Sequence, residues 1–384
     1  MRPNKLRLEA SYVWRHSSSP AVRWAHVIHN WVKPMPEVRV DRQLDGAGEI
    51  LRYEGLASGV CKPNIGSWPA ESSSMDAAIT MHTVTGWSDA QRHMTGNFLS
   101  LVMPFRLSWL ADRIDSPDTV MRSLSRRERR TVKSALQKRG YKLIATTDDA
   151  AFEDFYTQVY LPTMRDRHGE QAKGETEETA RECMFRRRGV LLLMRDPNLG
   201  TVGGALCRYG DRGQSLVMRL VGVRNADPDL YRDGSFKALW ILVLQWASSQ
   251  GFRSVDLKGT EPFVSNGNFQ WKRRIGARVG PLRNFMSGHR IVFTVNSDGP
   301  GVRSFLVAHP LVEITDAGAL GAVCFHDRNA PPQSPGYYAA RGISTIRYLD
   351  LETMRWSSAE PLACSRRTVR VQTDGCEGEF RSEH

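Results

Sequence analysis

The runs SLVMRLVGVRN (Ser215–Asn225), GSFKALWILVLQWASSQG (Gly234–Gly251), RSVDLKG (Arg253–Gly259) and NFQWKRRIG (Asn268–Gly276) decide how this chain is read. The first is apolar and β-rich, and predicts a strand. A polar turn through Asp227, Pro228 and Asp229, then Tyr231-Arg-Asp-Gly-Ser235, leads into a helix with Leu239, Leu242, Val243 and Trp246 on one face. Gly251 closes that helix, and a second strand, Arg253 to Leu257, follows at once. A helical crossover of this length joins parallel neighbours. N–H groups at a helix start lack intrahelical partners, and a glycine there admits an anion closely, so Gly234, Ser235 and Arg232 are candidate contacts for the pyrophosphate of a nucleotide-like cofactor.

Upstream, Val190 to Met194, Thr201 to Tyr209 and Ser215 to Val223 are β-rich runs separated by Asp196-Pro-Asn-Leu-Gly200 and Asp211-Arg-Gly213. Short turns of this composition make antiparallel neighbours. Before them stand a strand from Tyr141 to Ala145, a helix from Asp148 with Phe152, Phe155 and Val159 at helical spacing whose end Pro162 should disturb, and a helix around Glu175 to Arg188. Ser125-Arg-Arg-Glu128 is a capping-box pattern opening a helix that Gly140 stops. From Arg122 to Lys142 nine Lys or Arg face one Glu, which fits phosphate contact or a solvated helix buried along Val132, Ala135 and Leu136. Residues 1–119 offer a strand at Glu49 to Tyr53 and a helix from Ser88 into the apolar run Phe98 to Phe105. Strands at Ala277 to Val279 and Arg290 to Val295 follow the short basic helix. The expected divisions are an N-terminal region 1–119, a domain 120–295, an appendage 296–356 and a polar, mobile tail 357–384. The fold class is α+β: a mixed, mostly antiparallel sheet flanked by helices.

A chain of 384 residues accommodates two domains, and 41% hydrophobic with 24% charged residues is the composition of a globular protein, not a disordered one. A net charge of +12 favours an anionic partner such as a nucleotide cofactor or tRNA. The six cysteines form no CxxC pair, so neither a zinc ribbon nor a disulfide framework is expected, and a reducing cytoplasm fits. The first residues carry no continuous apolar core, and no run reaches the ~20 apolar residues of a membrane span. His26 and His29 share a helical face without a third ligand nearby, so no metal is expected. Neither a Gly-x-Ser-x-Gly elbow nor a Gly-Lys-Ser/Thr phosphate loop is present.

The order strand, helix, helix, three antiparallel strands, glycine-led helix, strand, short helix resembles the GNAT acyltransferase superfamily. Phe155-Tyr156, Met164-Arg-Asp-Arg-His-Gly169, Val202-Gly-Gly204, Trp246-Ala247 with Gly251, Asp256-Leu-Lys-Gly259 and Phe269-Gln-Trp-Lys-Arg-Arg-Ile-Gly276 look like its FemAB-like branch, over about residues 120 to 295. The resemblance implies transfer of an acyl group from an acyl-CoA, acetyl-CoA first, to a primary amine on a small molecule or peptide. Its rival is aminoacyl transfer from charged tRNA to a cell-wall or amino-acid-derived acceptor. A third reading is a non-catalytic module that binds an anion or RNA. The resemblance also implies that residues 1–119 are a degenerate second half.

In the family the acyl carbonyl is polarised by a backbone N–H where the fourth and fifth strands splay, which falls on Leu220 to Val223 here and nominates Val221, Gly222 and Val223. This chain departs from the pattern twice: Tyr231 stands where the cofactor loop has Arg or Gln, and Trp271 stands on the last short helix where many members place a tyrosine proton donor. Acyl transfer needs a positioned neutral amine and an acceptor for its proton. Asp256 and Glu261 are candidate bases. Lys258, Lys272 and Arg273, with Arg274, are candidate phosphate or substrate contacts, Lys272 foremost, and His168 is a candidate substrate contact or helix cap. A Gly234→Glu variant is expected to abolish donor binding.

Overall fold

The computed structural model describes residues 3–17, 19–32, 38–45, 48–56, 78–94, 98–169, 174–210, 213–359, 370–373 and 376–379. They group into two compact units, one built from Met1–Ser17, Trp109–Lys258 and Arg274–Arg278, the other from Ser18–Ser108, Gly259–Arg273 and Val279–His384.

The first unit opens with helix α1 (Pro3–His16), then α2 (Pro117–Ser123) and α3 (Arg126–Arg139). Ser125 caps α3, its Oγ accepting the Glu128 N–H at 3.4 Å, and Gly140 ends the helix at φ +61°. The Glu128 side chain is buried instead of reaching back to the cap. Strand β1 (Lys142–Thr146) precedes a long helical stretch, α4 (Asp149–Asp154), a π-helical segment Phe155–Tyr160 and α5 (Leu161–His168). Pro162 does not end this stretch: the helical backbone runs on from Tyr160 through Leu161, and the proline, which has no N–H to donate, directly follows the wide π-helical turn. A shorter helix, α6 (Glu177–Thr179), runs into a second π-helical segment, Ala180–Phe185.

The sheet is the expected one: β2 (Gly189–Asp196), β3 (Gly200–Tyr209) and β4 (Ser215–Val223) pair antiparallel, with β1 antiparallel to β2. Of the turn at Asp211-Arg-Gly213, Asp211 and Arg212 lie outside the described residues. After β4 come α7 (Pro228–Arg232) and α8 (Ser235–Ser249), then β5 (Ser254–Thr260), which pairs parallel with β4. The predicted order of elements is therefore present, as a mixed and mostly antiparallel sheet flanked by helices. Phe152, Phe155, Val159, Leu191, Leu206 and Leu220 belong to a core cluster that joins sheet and helices, and Tyr12 of α1 packs into it.

The second unit holds two sheets. One runs Val38–Asp45, Gly48–Leu56, Ile79–Thr85, His289–Val295, Leu99–Pro104. The run Phe98 to Phe105 is thus a strand, not the expected helix: an apolar stretch buried at nearly every position fits a central strand as well as a core helix, and here it pairs with His289–Val295. The other sheet runs Leu311–Ile314, Leu320–His326, Ile343–Asp350, Arg355–Ala359, Arg370–Thr373, Cys376–Glu379. Where described, residues 357–384 therefore contribute strands to this sheet. No helix among the described residues is long and apolar enough to cross a membrane.

Candidate active site

The pairing of β4 with β5 covers Ser215↔Ser254, Leu216↔Val255 and Val217↔Asp256 and then stops, while β4 runs on to Val223. At the point of divergence Lys258 takes φ +63°, and its N–H donates to Asp256 Oδ1 at 2.7 Å. Lysine rarely adopts this left-handed backbone, so the turn is a local strain held by its surroundings. Asp256, a candidate base, uses one carboxylate oxygen to hold that turn.

Around this point the first unit gathers polar side chains from distant parts of the chain. Tyr12 and His16, one turn apart on α1, have ring centroids 4.7 Å apart. Arg219, in the middle of β4, donates from Nη2 to Glu175 Oε1 at 2.8 Å and lies 3.2 Å from His16 Nε2, which is 3.4 Å from the same Glu175 oxygen. Nε2 thus faces both a donor, Arg219, and an acceptor, Glu175, and which of the two it engages depends on the tautomer of the ring. Burial, followed by the nearby Arg219 and Lys258 charges, lowers the His16 pKa to about 4 against the pull of Glu175, which keeps the ring neutral. Burial alone would raise the Glu175 carboxyl, yet its bond to His16 and the Arg219 charge hold it below the usual value.

Two tyrosines of the π-helical segment fix the Glu175 backbone: Tyr156 donates its hydroxyl to the Glu175 carbonyl at 2.8 Å, and the Glu175 N–H donates to Tyr160 Oη at 3.1 Å. The guanidinium carbons of Arg208 and Arg219 lie 5.1 and 5.3 Å from the Tyr12 ring centroid. Lys258 adjoins this group, and burial first, then Arg219 and Arg208, lower its pKa to about 8, with Asp256 and Glu175 opposing. Side-chain exposure is 7% for Arg219, 21% for Glu175 and 24% for His16, so the cluster is sheltered but reachable.

Lys258 was nominated from the sequence; Arg219 was not, although a charge inside the apolar run SLVMRLVGV is a signal that could have marked it. His16 and Glu175 carried no such signal, because packing alone brings positions 16, 175 and 219 together.

The other nominated residues lie as follows. Thr163 Oγ1 of α5 accepts the Val223 N–H at 3.1 Å, and a Cβ on Gly222 would sit 2.5 Å from that oxygen, so the far end of β4 is closed by α5 rather than open to an acyl group. Gly234 has φ +82°, and a Cβ there would meet Thr131 Cγ2 of α3 at 3.0 Å. Ser235 is fully buried with its Oγ 2.6 Å from Tyr141 Oη, and Lys237 Nζ donates to Glu128 at 2.7 Å. The start of α8 is therefore packed against α3. Arg232 is exposed and paired with Asp229 at 2.7 Å. His168 is the last residue of α5. In the second unit Lys272 is buried and donates to the Gly259 carbonyl at 3.1 Å, Arg273 binds Gln270 Oε1 and the Gly336 carbonyl, and Glu261 accepts from Asn266 Nδ2 at 2.8 Å. Lys272 and Arg273 thus hold backbone and neighbouring side chains in place, which explains their pattern without a ligand.

The exposed face of α3 presents Arg126, Arg130 and Lys133 at helical spacing, flanked by Arg127 and Lys138, and none has an ion-pair partner among the described residues. Arg129 differs, since its Nη2 caps the carbonyls of Arg122 and Leu124. Among the described residues no group of three or more His, Cys, Asp or Glu is placed to hold a metal.

No family model matches the chain, and no curated protein matches it. Solved structures are similar at a distance: FemX, with 12% identity over 56% of this chain and 72% of that one and a TM-score of 0.38; L-PGS from Bacillus licheniformis, with 12% identity over 58% and 70% and a TM-score of 0.35; and a GCN5-related N-acetyltransferase from Sphaerobacter thermophilus, with 18% identity over 56% and 58% and a TM-score of 0.28. All three scores lie below 0.5, so the chemistry has to come from this chain's own residues.

Proposed function

We propose that this protein transfers an acyl group from an activated ester or thioester to an amine, at the divergence of β4 and β5. The observation that carries the reading is the end of the β4–β5 pairing at Val217↔Asp256 with Lys258, Arg219, Glu175 and His16 gathered beside it. The attacking amine must lose a proton and the leaving sulfur or oxygen must gain one. A side chain whose pKa lies near the working pH does both well. Lys258 is such a group: its neutral Nζ takes the proton as nitrogen bonds to the acyl carbon, and the resulting ammonium returns it as the carbon–sulfur or carbon–oxygen bond breaks. Arg219 supplies fixed positive charge to the oxyanion, and Glu175 holds Arg219 in place. Lys258 in this role answers the absence of a tyrosine on the last short helix.

Acyl-CoA is the first donor the resemblance implies. A second reading, charged tRNA, is favoured by two observations: the start of α8 is packed against α3, and Arg126, Arg130 and Lys133 of α3 have no ion-pair partner among the described residues. A thermal-shift panel of acetyl-CoA, longer acyl-CoAs, free CoA, charged tRNA and uncharged tRNA separates the two. Stabilisation by CoA species alone supports the first; stabilisation by tRNA alone supports the second. Turnover of a labelled amine then tests the reaction. Lys258→Met should lower kcat at least ~100-fold with little change in donor KM, and Glu261→Gln tests the other candidate base. Full activity in Lys258→Met sinks the mechanism, and no turnover with any donor leaves the non-catalytic binding module.

A further inference from the structure

The helix Pro20–Val32 of the second unit turns an apolar face outward. Trp24 is 70% exposed, more than any other large apolar side chain among the described residues, and Ile28, one turn on, is 47% exposed. At about 100° per residue, Pro20, Ala21, Trp24 and Ile28 fall within a single arc of about 100°, and all four are exposed. Buried His26 and half-buried Val22 stand on the opposite side, and the helix rests on the segment Phe285–Gly288. A contiguous apolar stripe left in water marks an interaction site.

The charges around the stripe select its partner. Between Glu9 and Glu37 the sequence carries Arg15, Arg23 and Lys33 and no acidic residue. Arg23 is exposed and stands at the edge of the apolar arc, about 60° from Pro20. The same face on a second copy would present the same arginine, and like charges oppose that pairing. An anionic bilayer suits both parts. Tryptophan settles at the level of the lipid headgroups, isoleucine enters the acyl boundary, and arginine lays its stem along apolar surface while its guanidinium reaches lipid phosphates. Thirteen residues make a helix about 20 Å long, too short for the ~30 Å hydrocarbon core, so it lies in the plane of the interface.

We propose that the helix Pro20–Val32 docks this protein on the surface of an anionic phospholipid bilayer, with Trp24 and Ile28 as apolar anchors and Arg23 as a headgroup contact. Docking of this kind is independent of the reaction at β4 and β5.

The test is flotation of the full-length protein with vesicles made of equal parts phosphatidylcholine and phosphatidylglycerol, against vesicles of phosphatidylcholine alone. The expected result is binding to the anionic vesicles at least ~5-fold tighter than to the neutral ones. Trp24→Ala with Ile28→Ala should weaken binding at least ~10-fold while leaving the thermal midpoint of the free protein within about 2 °C, because both side chains face outward. Arg23→Gln should reduce the preference for anionic vesicles severalfold without changing binding to neutral ones. Exchanging Arg126, Arg130 and Lys133 of α3 for Gln is the control for a second basic surface, and should leave more than half of the affinity in place. No binding to either vesicle, equal binding by the parent and the Trp24→Ala, Ile28→Ala variant, or loss of binding only in the α3 variant overturns the proposal. Concentration-dependent self-association that the Trp24→Ala, Ile28→Ala variant abolishes, without vesicle binding by the parent, overturns it too and makes the stripe a contact between copies.

Discussion

Gly234→Ala separates a packed helix start from a phosphate cradle. At φ +82° an alanine sits in the left-handed region, at a cost of about 1–2 kcal/mol. Its Cβ also meets Thr131 Cγ2 at 3.0 Å, and the α3–α8 contact must widen by a few tenths of an ångström, at a further cost on the order of 1 kcal/mol. The sum, about 2–3 kcal/mol, should lower the midpoint of the first calorimetric transition by roughly 4–12 °C for a unit of this size. Thr131→Ser removes the methyl that Cβ meets, so the double variant should recover the contact part and keep the strain, a coupling of about 1 kcal/mol in a double-mutant cycle. Donor affinity measured on the folded variant should stay within about threefold of the parent, because the residue faces α3. An unchanged midpoint or no recovery with Thr131→Ser refutes the packing argument. A folded variant that loses donor binding instead makes the start of α8 a phosphate site.

Lys258, its pKa lowered to about 8, stays neutral in the folded chain where the unfolded chain still binds a proton, so stability should rise from about pH 8 towards the ordinary lysine range. Lys258→Met should flatten that rise in urea unfolding, and a rise that persists refutes the assignment. His16 follows the same sign at lower pH: its contribution is complete above the ordinary histidine value and is lost as pH falls towards about 4. A His16→Asn variant that titrates as steeply as the parent would exclude His16 as the cause. Exchanging Arg126, Arg130 and Lys133 for Gln should reduce the logarithmic salt dependence of tRNA affinity by about 2–3, at ~0.7–0.9 per phosphate contact, and an unchanged slope would take α3 out of donor recognition. Asp256→Asn should leave stability within about 0.5 kcal/mol, since Asn Oδ1 can still accept the Lys258 N–H. Asp256→Ala, which removes that acceptor, should lose about 1 kcal/mol, and equal stability of the two would exclude the turn role.

The sheet of the first unit was legible because its signals are local. Asp196-Pro-Asn-Leu-Gly200 can only be a turn between β2 and β3, and Gly251 separates α8 from β5 within a few residues. The parallel step followed from the length of the crossover. The run Phe98–Phe105 misled because continuous burial erases the period that distinguishes strand from helix. Lys272 and Arg273 misled differently: a basic cluster in sequence looks like a phosphate site, but nearby carbonyls and Gln270 already satisfy these donors. The cluster at Arg219 left only one misplaced charge as a signal in the sequence, since its partners come from α1 and from the residues before α6.

The π-helical segment Phe155–Tyr160 bears on the site through angle rather than contact. Each residue of an α-helix turns the chain by about 100°. A π turn holds one residue more than an α turn, so it sets the phase between α4, which packs Phe152 into the core, and α5, which carries Thr163 onto β4. Removing a single residue there, the exposed Thr157 for instance, would restore regular winding and swing everything beyond it by that angle. Thr163 would leave Val223 and Tyr160 would leave Glu175 in the same motion. The helix behind the site therefore acts as a dial with one working setting, and the wide turn is what holds it there.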